Sequence, residues 1–281
     1  LNPYENKKYF DILKKRKIAS CCMELIPRIS RAQTMDVLSS QANLAGYRSV
    51  IDAAEKFSKA FPMMMTAAGR VNPAKVMVLG VGVAGLQAIA TAKRLGAVVS
   101  ATDVRLATKE QVESLGGKFI YVKDDSTKDT ETKGGYAKEM SEDYKKKQAQ
   151  LISETIAKQD IVICTALIPG KKAPNLINKD MIETMAPGSV VVDLAVESGG
   201  NCPLSKFGEI VVHKGVIIVG HANFPGKVAK DASSLYSKNI FNFLSLLIKK
   251  DTKKPTFDFE DEIVKAVVLT YEGELRLNQF N

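Results

Sequence analysis

A glycine pattern, G-x-G-x-x-G at residues 80–85, constrains the fold of this 281-residue chain more than any other feature. A short apolar run precedes it and an alanine-rich helical stretch follows it. In such a context the first glycine permits a tight turn, the second lets the backbone approach a pyrophosphate, and the third lets helix and strand pack closely. The start of the helix adds N–H groups and partial positive charge. The pattern predicts a strand–turn–helix unit that can hold a dinucleotide.

Strands and helices alternate on both sides of this unit. We predict strands at 75–80, 98–103, 118–122, 160–165, 189–194 and 216–220. Near-continuous Val/Ile runs suit strands that are buried on both faces, and alternation with helices is typical of a doubly wound parallel sheet. An amphipathic helix at 227–249, a strand at 264–270 and a turn at Glu272–Gly273 follow, and Met63 to Met65 are expected in the core.

The acid that ends the second of these strands bears on the nucleotide. Asp103 lies 18 residues after Gly85. A carboxylate at this place accepts the ribose hydroxyls of adenosine and repels a 2′-phosphate, which favours NAD(H) over NADP(H). Arg105 lies close enough in sequence to accept a phosphate instead, so the preference stays open at this point.

Two polar segments interrupt the pattern. Residues 27–48 crowd arginine, glutamine, aspartate and serine into a loop that enters a helix, with Asp36 at its start. They form either an exposed loop with a helix cap or a set of hydrogen-bonding groups aimed at a ligand between two lobes. Residues 124–135 are polar and without apolar period, and such long loops are functional or disordered.

Composition excludes several classes of function. The net charge of +9 comes from scattered lysines without a nucleic-acid motif, so no nucleic-acid partner is expected. The four cysteines form no C-x-x-C pair, which predicts reduced thiols and no metal site. No apolar run approaches the roughly 18 residues of a membrane helix. His213 and His221 lie near strand ends. A surface or structural role is expected for His213, whereas His221 has either such a role or a place nearer the nucleotide crevice, and no catalytic role is expected.

Several segments together resemble the NAD(H)-binding domain of proton-translocating nicotinamide nucleotide transhydrogenases, in the alanine dehydrogenase/transhydrogenase superfamily. The most specific are RISRAQTMDVLSSQANLAGYR and VVDLAVESGGNCPL, and the resemblance covers residues 23–243. It implies a catalytic set of Arg28, Gln33, Asp36 and Tyr136. It also implies these cofactor contacts: Arg28, Ile29, Ser30, Gln33, Thr34, Met35, Asp36, Ser39, Gly80, Gly82, Val83, Ala84, Gly85, Asp103, Val104, Arg105, Gly135, Tyr136, Gln148, Thr165, Ala166 and Leu167.

The resemblance also implies a domain plan of two Rossmann-like α/β lobes. Residues 37–225 would be the NAD(H)-binding Rossmann domain, with a mobile loop at 124–136 that closes over the nucleotide. Residues 1–36 and 226–281 would be the remainder of a first lobe that is incomplete at its N-terminus.

By the same resemblance, the chain would pass hydride between NADH and NADP⁺, coupled in the whole enzyme to proton translocation. NADP(H) would sit on a separate domain, with a membrane-spanning domain and a second copy of the chain as further partners. The expected location is a soluble domain at the surface of the mitochondrial inner membrane, facing the matrix, or of a bacterial inner membrane, facing the cytoplasm. The alternatives are an alanine dehydrogenase-type amino-acid dehydrogenase and an NAD-binding module without chemistry of its own.

Overall fold

The computed structural model describes residues 2–122, 142–168, 170–248 and 253–280. The strands are β1 (Ser20–Cys21), β2 (Met64–Thr66), β3 (Gly69–Val71), β4 (Lys75–Leu79), β5 (Val98–Thr102), β6 (Lys118–Phe119), β7 (Ile161–Cys164), β8 (Val190–Asp193), β9 (Glu209–His213), β10 (Val216–Gly220), β11 (Val268–Tyr271) and β12 (Glu274–Leu275). The α-helices are α1 (Phe10–Lys15), α2 (Val37–Lys56), α3 (Val83–Arg94), α4 (Lys109–Ser114), α5 (Glu142–Ile156), α6 (Lys179–Glu183), α7 (Ala229–Leu247) and α8 (Glu262–Val267).

The chain forms two compact units. Unit 1 comprises residues 1–41 and 229–281, and unit 2 comprises residues 42–228. Unit 2 contains a seven-stranded sheet in the order β6-β5-β4-β7-β8-β10-β9. All pairs in it are parallel except β10–β9, which is antiparallel. The predicted α/β class and the doubly wound parallel sheet are confirmed.

The period of two along the central strand divides the interior of unit 2 into two cores. Val76 and Val78 of β4 pack with Ile89 of α3 on one face of the sheet. Met77 and Leu79 pack with Ile156 of α5 on the other face. Because successive side chains of a strand point to opposite faces, an unbroken apolar run is what a strand covered on both faces requires.

Unit 1 contains a small antiparallel sheet in the order β1-β11-β12. Its core joins Met23 and Met35 to Phe243 of α7 and Val264 of α8. The predicted turn at Glu272–Gly273 is confirmed: it links β11 and β12, and both residues have positive φ, as a two-residue hairpin turn demands.

Two local predictions are wrong. The expected strand at 264–270 is helix α8 followed by β11, because the Asp261 side chain accepts the Ile263 N–H at 2.8 Å and so starts a helix. Met63 to Met65 are not core residues; they are 54%, 41% and 70% exposed. Met64 and Met65 belong to β2, which pairs with β3 in a two-stranded ribbon.

Candidate functional site

The glycine turn of unit 2 lies where the strand order reverses. β4 and β7 are neighbours, and from them the chain builds the sheet outward in opposite directions, through β5 and β6 on one side and through β8 and β10 on the other. Residues 80–85 follow β4 and residues 165–167 follow β7, so both segments leave the same carboxyl edge. In open α/β sheets this crevice is where ligands bind.

The three glycines of the turn have different surroundings. Gly80 has φ +93°, and a Cβ there would lie 2.9 Å from Thr165 Oγ1. A Cβ on Gly85 would lie 2.0 Å from the Gly80 carbonyl oxygen, so strand and helix pack too closely for any side chain. A Cβ on Gly82 would meet no atom of the described residues within 4 Å. Packing therefore explains why Gly80 and Gly85 have no side chain, but it does not explain Gly82. At Gly82 the missing side chain leaves the backbone open to an approaching diphosphate.

Exposure around the turn agrees with that interpretation. Gly82 and Val83 are exposed, Ala84 is half-buried and Gly85 is buried. Helix α3 begins at Val83, with Gly82 as its N-cap. The first N–H groups of a helix have no partner within the helix and carry partial positive charge. These atoms can bind a dinucleotide's phosphates without a cationic side chain.

Asp103 lies at the end of β5, with its side chain 7% exposed. Its Oδ2 accepts the Val81 N–H at 2.7 Å, which ties the acid to the glycine turn. Arg105 folds back onto the same carboxylate: its backbone N–H and Nε donate to Oδ1, and Nη2 donates to Oδ2, each at 2.9 Å. The Arg105 guanidinium therefore covers acceptor positions that a ribose diol would need, and sequence reasoning did not predict this pairing.

Thr165 connects the second segment to the first. Its hydroxyl donates to the Gly80 carbonyl at 2.8 Å, across 85 residues. Leu167 is 51% exposed, beside the half-buried Ala166. Val104, between Asp103 and Arg105, is also half-buried. The predicted contacts in unit 2 from the glycine turn, β5 and β7 thus converge at one edge of the sheet.

In unit 1 the predicted site residues occupy a 3₁₀ helix, Ser30–Met35, and the loop before it. Arg28, Ser30, Gln33 and Thr34 are exposed, and Ile29 is half-buried. Exposed arginine and amide side chains can hydrogen-bond a ligand's carboxamide or hydroxyl groups. Residues 28–34 therefore present polar side chains on the surface of unit 1.

Other members of this segment are engaged inside unit 1. Asp36 caps α2: its Oδ1 accepts the Ser39 N–H at 2.9 Å, and its Oδ2 accepts the Ser39 hydroxyl at 2.5 Å. The Thr34 carbonyl accepts amide N–H groups from Asn239 and Asn242 of α7 at 2.8 and 3.0 Å. Met35 is buried in the unit 1 core. The predicted N-cap role of Asp36 is confirmed, and these contacts hold the segment's shape.

Three predicted residues stand apart from these groups. Gly135 and Tyr136, with the proposed loop 124–136, lie outside the described residues. Gln148 lies half-buried within α5. Among the described residues, no group of three or more His, Cys, Asp or Glu side chains could hold a metal ion. Nor is any helix in the described ranges long and apolar enough to cross a membrane.

A charged cluster lies in unit 2 beyond the end of β10. The Asp52 carboxylate is 1% exposed and accepts hydrogen bonds from Arg48 Nε and Lys227 Nζ, each at 2.7 Å. His221 Nδ1 lies 2.8 Å from Lys227 Nζ and 3.5 Å from Asp52 Oδ2. Since an ammonium can only donate, this geometry suits a neutral imidazole. Burial, followed by the charge of Lys227, lowers the pKa of His221, while Asp52 opposes the shift.

This cluster predicts a pH dependence of stability. A histidine whose folded pKa is depressed binds fewer protons folded than unfolded, so its contribution is present above the unfolded pKa of about 6.5 and is lost as pH falls below it. From about pH 7.5 to about pH 5.5, wild type should lose more melting temperature than His221→Gln. Thermal melts at both pH values measure this. Equal losses in the two proteins would contradict it.

Comparison with known proteins gives the family. The model "Alanine dehydrogenase/PNT, C-terminal domain" matches residues 49–278, and the model "Alanine dehydrogenase/PNT, N-terminal domain" matches residues 1–45. An NAD(P) transhydrogenase alpha subunit of Rhodospirillum rubrum is 62% identical over 275 residues, covering 98% of this chain and 72% of the relative. An alanine dehydrogenase of Methanococcus maripaludis is 25% identical, covering 86% of this chain and 61% of that protein.

Solved structures give the same grouping. A transhydrogenase from Sinorhizobium meliloti is 53% identical, with a TM-score of 0.88, covering 98% of this chain and 73% of that one. An L-alanine dehydrogenase has a TM-score of 0.77 at 20% identity, covering 99% of this chain and 71% of that one, which supports a shared fold alone. The chain therefore belongs to the alanine dehydrogenase/PNT family, and within it to the group of NAD(P) transhydrogenase alpha subunits.

Proposed function

We propose that this chain is the NAD(H)-binding component of a transhydrogenase that passes hydride between NADH and NADP⁺. Unit 2 binds NAD(H), and NADP(H) binds to a separate domain of the same enzyme. The observation that carries the proposal is the pairing of the glycine turn with Asp103, a buried carboxylate hydrogen-bonded to that turn at Val81. A carboxylate at this position disfavours a 2′-phosphate, and it accepts a ribose diol once the Arg105 guanidinium moves off its oxygens.

For this hydride transfer the chain has to bind and orient the nucleotide, and it needs no acid or base. The bound nicotinamide supplies the hydride, and transfer between two nicotinamide rings needs no proton donor or acceptor. It needs two rings held in contact and water kept away. We assign orientation of the nicotinamide end to Arg28, Gln33 and Asp36 of unit 1, and exclusion of water to the loop with Gly135 and Tyr136. The engaged state of Asp36, as the acceptor for Ser39, suits a positioning role better than that of a base.

The wider assembly follows from the same proposal. The whole enzyme would couple hydride transfer to proton translocation through a membrane-spanning domain, and two copies of this chain would form a dimer. The relatives at 62% and 50% identity are named transhydrogenase alpha subunits, whereas the alanine dehydrogenases stand at 25% and 28%. That difference supports the transhydrogenase function over an amino-acid dehydrogenase.

Reconstitution tests the proposal. The chain is mixed with the separately prepared NADP(H)-binding domain of a transhydrogenase, and hydride transfer from NADPH to an NAD analogue with a shifted absorption band is followed. We expect transfer only when both proteins are present. Omission of either protein is the control. Alanine-dependent NADH formation by the chain alone would overturn the proposal, and tight NADH binding without any transfer would indicate a binding module.

A further inference from the structure

A buried carboxylate organises the loop behind the Thr165–Leu167 segment. Asp193, at the end of β8, is 0% exposed. Its Oδ1 accepts the Ala195 N–H at 2.9 Å, and its Oδ2 accepts the N–H groups of Asn201 and Cys202 at 2.9 and 3.1 Å and the Ser205 hydroxyl at 2.6 Å. Four donors satisfy a charge whose burial would otherwise be costly. They fix the backbone that carries Asn201.

Asn201 connects this loop to the Thr165–Leu167 segment. Its side chain is fully buried and makes three hydrogen bonds. Oδ1 accepts the Ala166 N–H at 3.1 Å, while Nδ2 donates to the Ala166 carbonyl at 2.9 Å and to the Pro174 carbonyl at 2.7 Å. One carboxamide thus holds both polar groups of Ala166, 35 residues away. The two bonds to one residue fix the orientation of its peptide groups as well as its position.

Ala166 lies between two residues of this segment that are predicted cofactor contacts. Thr165, immediately before it, donates to the Gly80 carbonyl of the glycine turn. Leu167, immediately after it, is half exposed. Rotating the peptide groups of Ala166 would therefore move the Thr165 hydroxyl away from the turn and redirect the backbone at Leu167. Asn201, itself buried, thus holds the backbone between Thr165 and Leu167 in place.

We propose that Asn201 is a positioning residue for dinucleotide binding, acting through Ala166 on Thr165 and Leu167. This rests on the proposed function, because it takes the crevice between β4 and β7 as the NAD(H) site. The carboxamide orients the segment before the nucleotide arrives, so that binding does not have to order it.

The test compares two variants of the full chain. Asn201→Asp keeps the size and one acceptor but turns a carboxylate oxygen toward two carbonyl oxygens. Ser205→Ala is the matched control, because it removes a hydrogen bond from Asp193 in the same loop and leaves the partners of Ala166 intact. Melting temperatures record the loss of stability, and calorimetric titration with NADH records affinity. We expect the NADH affinity of Asn201→Asp to fall by about tenfold and that of Ser205→Ala by less than about twofold.

A pH series separates positioning from a general loss of structure. A buried carboxylate facing carbonyl oxygens takes up a proton readily, and the protonated acid can again donate one hydrogen bond. NADH affinity of Asn201→Asp should therefore recover as pH falls, while the affinity of Ser205→Ala changes with pH as wild type does. Affinity of Asn201→Asp no lower than that of Ser205→Ala, with wild type binding normally, overturns this assignment alone. A wild-type chain that fails to bind NADH overturns the proposed function and this assignment with it.

Discussion

Replacing Asp103 by alanine should lower the affinity for NADH by about thirtyfold or more and reduce the preference for NADH over NADPH by about a hundredfold. Three contacts change together. The ribose diol loses a charged acceptor, the Val81 N–H loses its partner at 2.7 Å, and the Arg105 guanidinium loses both carboxylate oxygens. Without the carboxylate, a 2′-phosphate is no longer repelled and Arg105 can pair with it.

Two further variants assign these effects. Asp103→Asn keeps an oxygen acceptor and removes the charge, so it should fall between wild type and alanine in NADH affinity. Adding Arg105→Met to Asp103→Ala should remove any gain in NADPH binding, because the phosphate then has no guanidinium. Titration calorimetry with each nucleotide gives all the constants. NADH affinity unchanged in Asp103→Ala would refute the role of this acid.

The second large effect comes from alanine substitutions in the glycine turn, which separate the glycine needed for packing from the glycine needed for binding. Gly85→Ala would place a methyl group 2.0 Å from the Gly80 carbonyl oxygen, and both are backbone-anchored, so α3 must move away from β4. We expect unit 2 to lose about 1–3 kcal/mol of stability, a fall of roughly 5 °C in melting temperature, and NADH binding to be lost. Gly46→Ala, whose Cβ would lie 2.1 Å from the Ala84 carbonyl oxygen, should also displace this helix.

Gly82→Ala is the matched counterpart. Its added methyl meets no atom within 4 Å in the part of the chain that the structure describes, and its φ is negative, at −82°. The melting temperature should therefore stay within about 1 °C of wild type. NADH affinity should nevertheless fall by about tenfold, since the methyl occupies the path of the diphosphate. Thermal melts and titrations on the same preparations decide the matter. Unchanged affinity in Gly82→Ala would show that the turn does not hold phosphates.

The elements of the fold that sequence predicts are those fixed by local pattern. Strands β4, β7 and β8 are fully or almost fully buried, and each contains an unbroken apolar run that is typical of a strand covered on both faces. Strand β9 was missed: it is a partly exposed edge strand, and its apolar run, residues 210–212, is only three residues long. The run at 264–270 misled because its β-branched residues suit a strand, whereas the cap at Asp261 decides the helix.

The candidate site also has features that the sequence predicts and features that it does not. The glycine turn and Asp103 are predictable because fixed spacing along the chain carries the chemistry. The pairing of Arg105 with Asp103 depends on a rotamer, and the contacts of Asn201 with Ala166 depend on two loops meeting across 35 residues. The only sequence signal for Asn201 was its place in VVDLAVESGGNCPL, which assigned it no partner.

The division of the chain between the two units has a consequence for the order of folding. Unit 2 is one continuous stretch, whereas unit 1 combines residues 1–41 with residues 229–281. In unit 1, Ser20 of β1 pairs with Thr270 of β11, a separation of 250 residues. During synthesis residues 1–41 therefore wait for residues 229–281, while unit 2 between them can already fold. Folding of unit 2 draws residues 41 and 229 together. It therefore lowers the entropy lost when the two segments of unit 1 pair with each other.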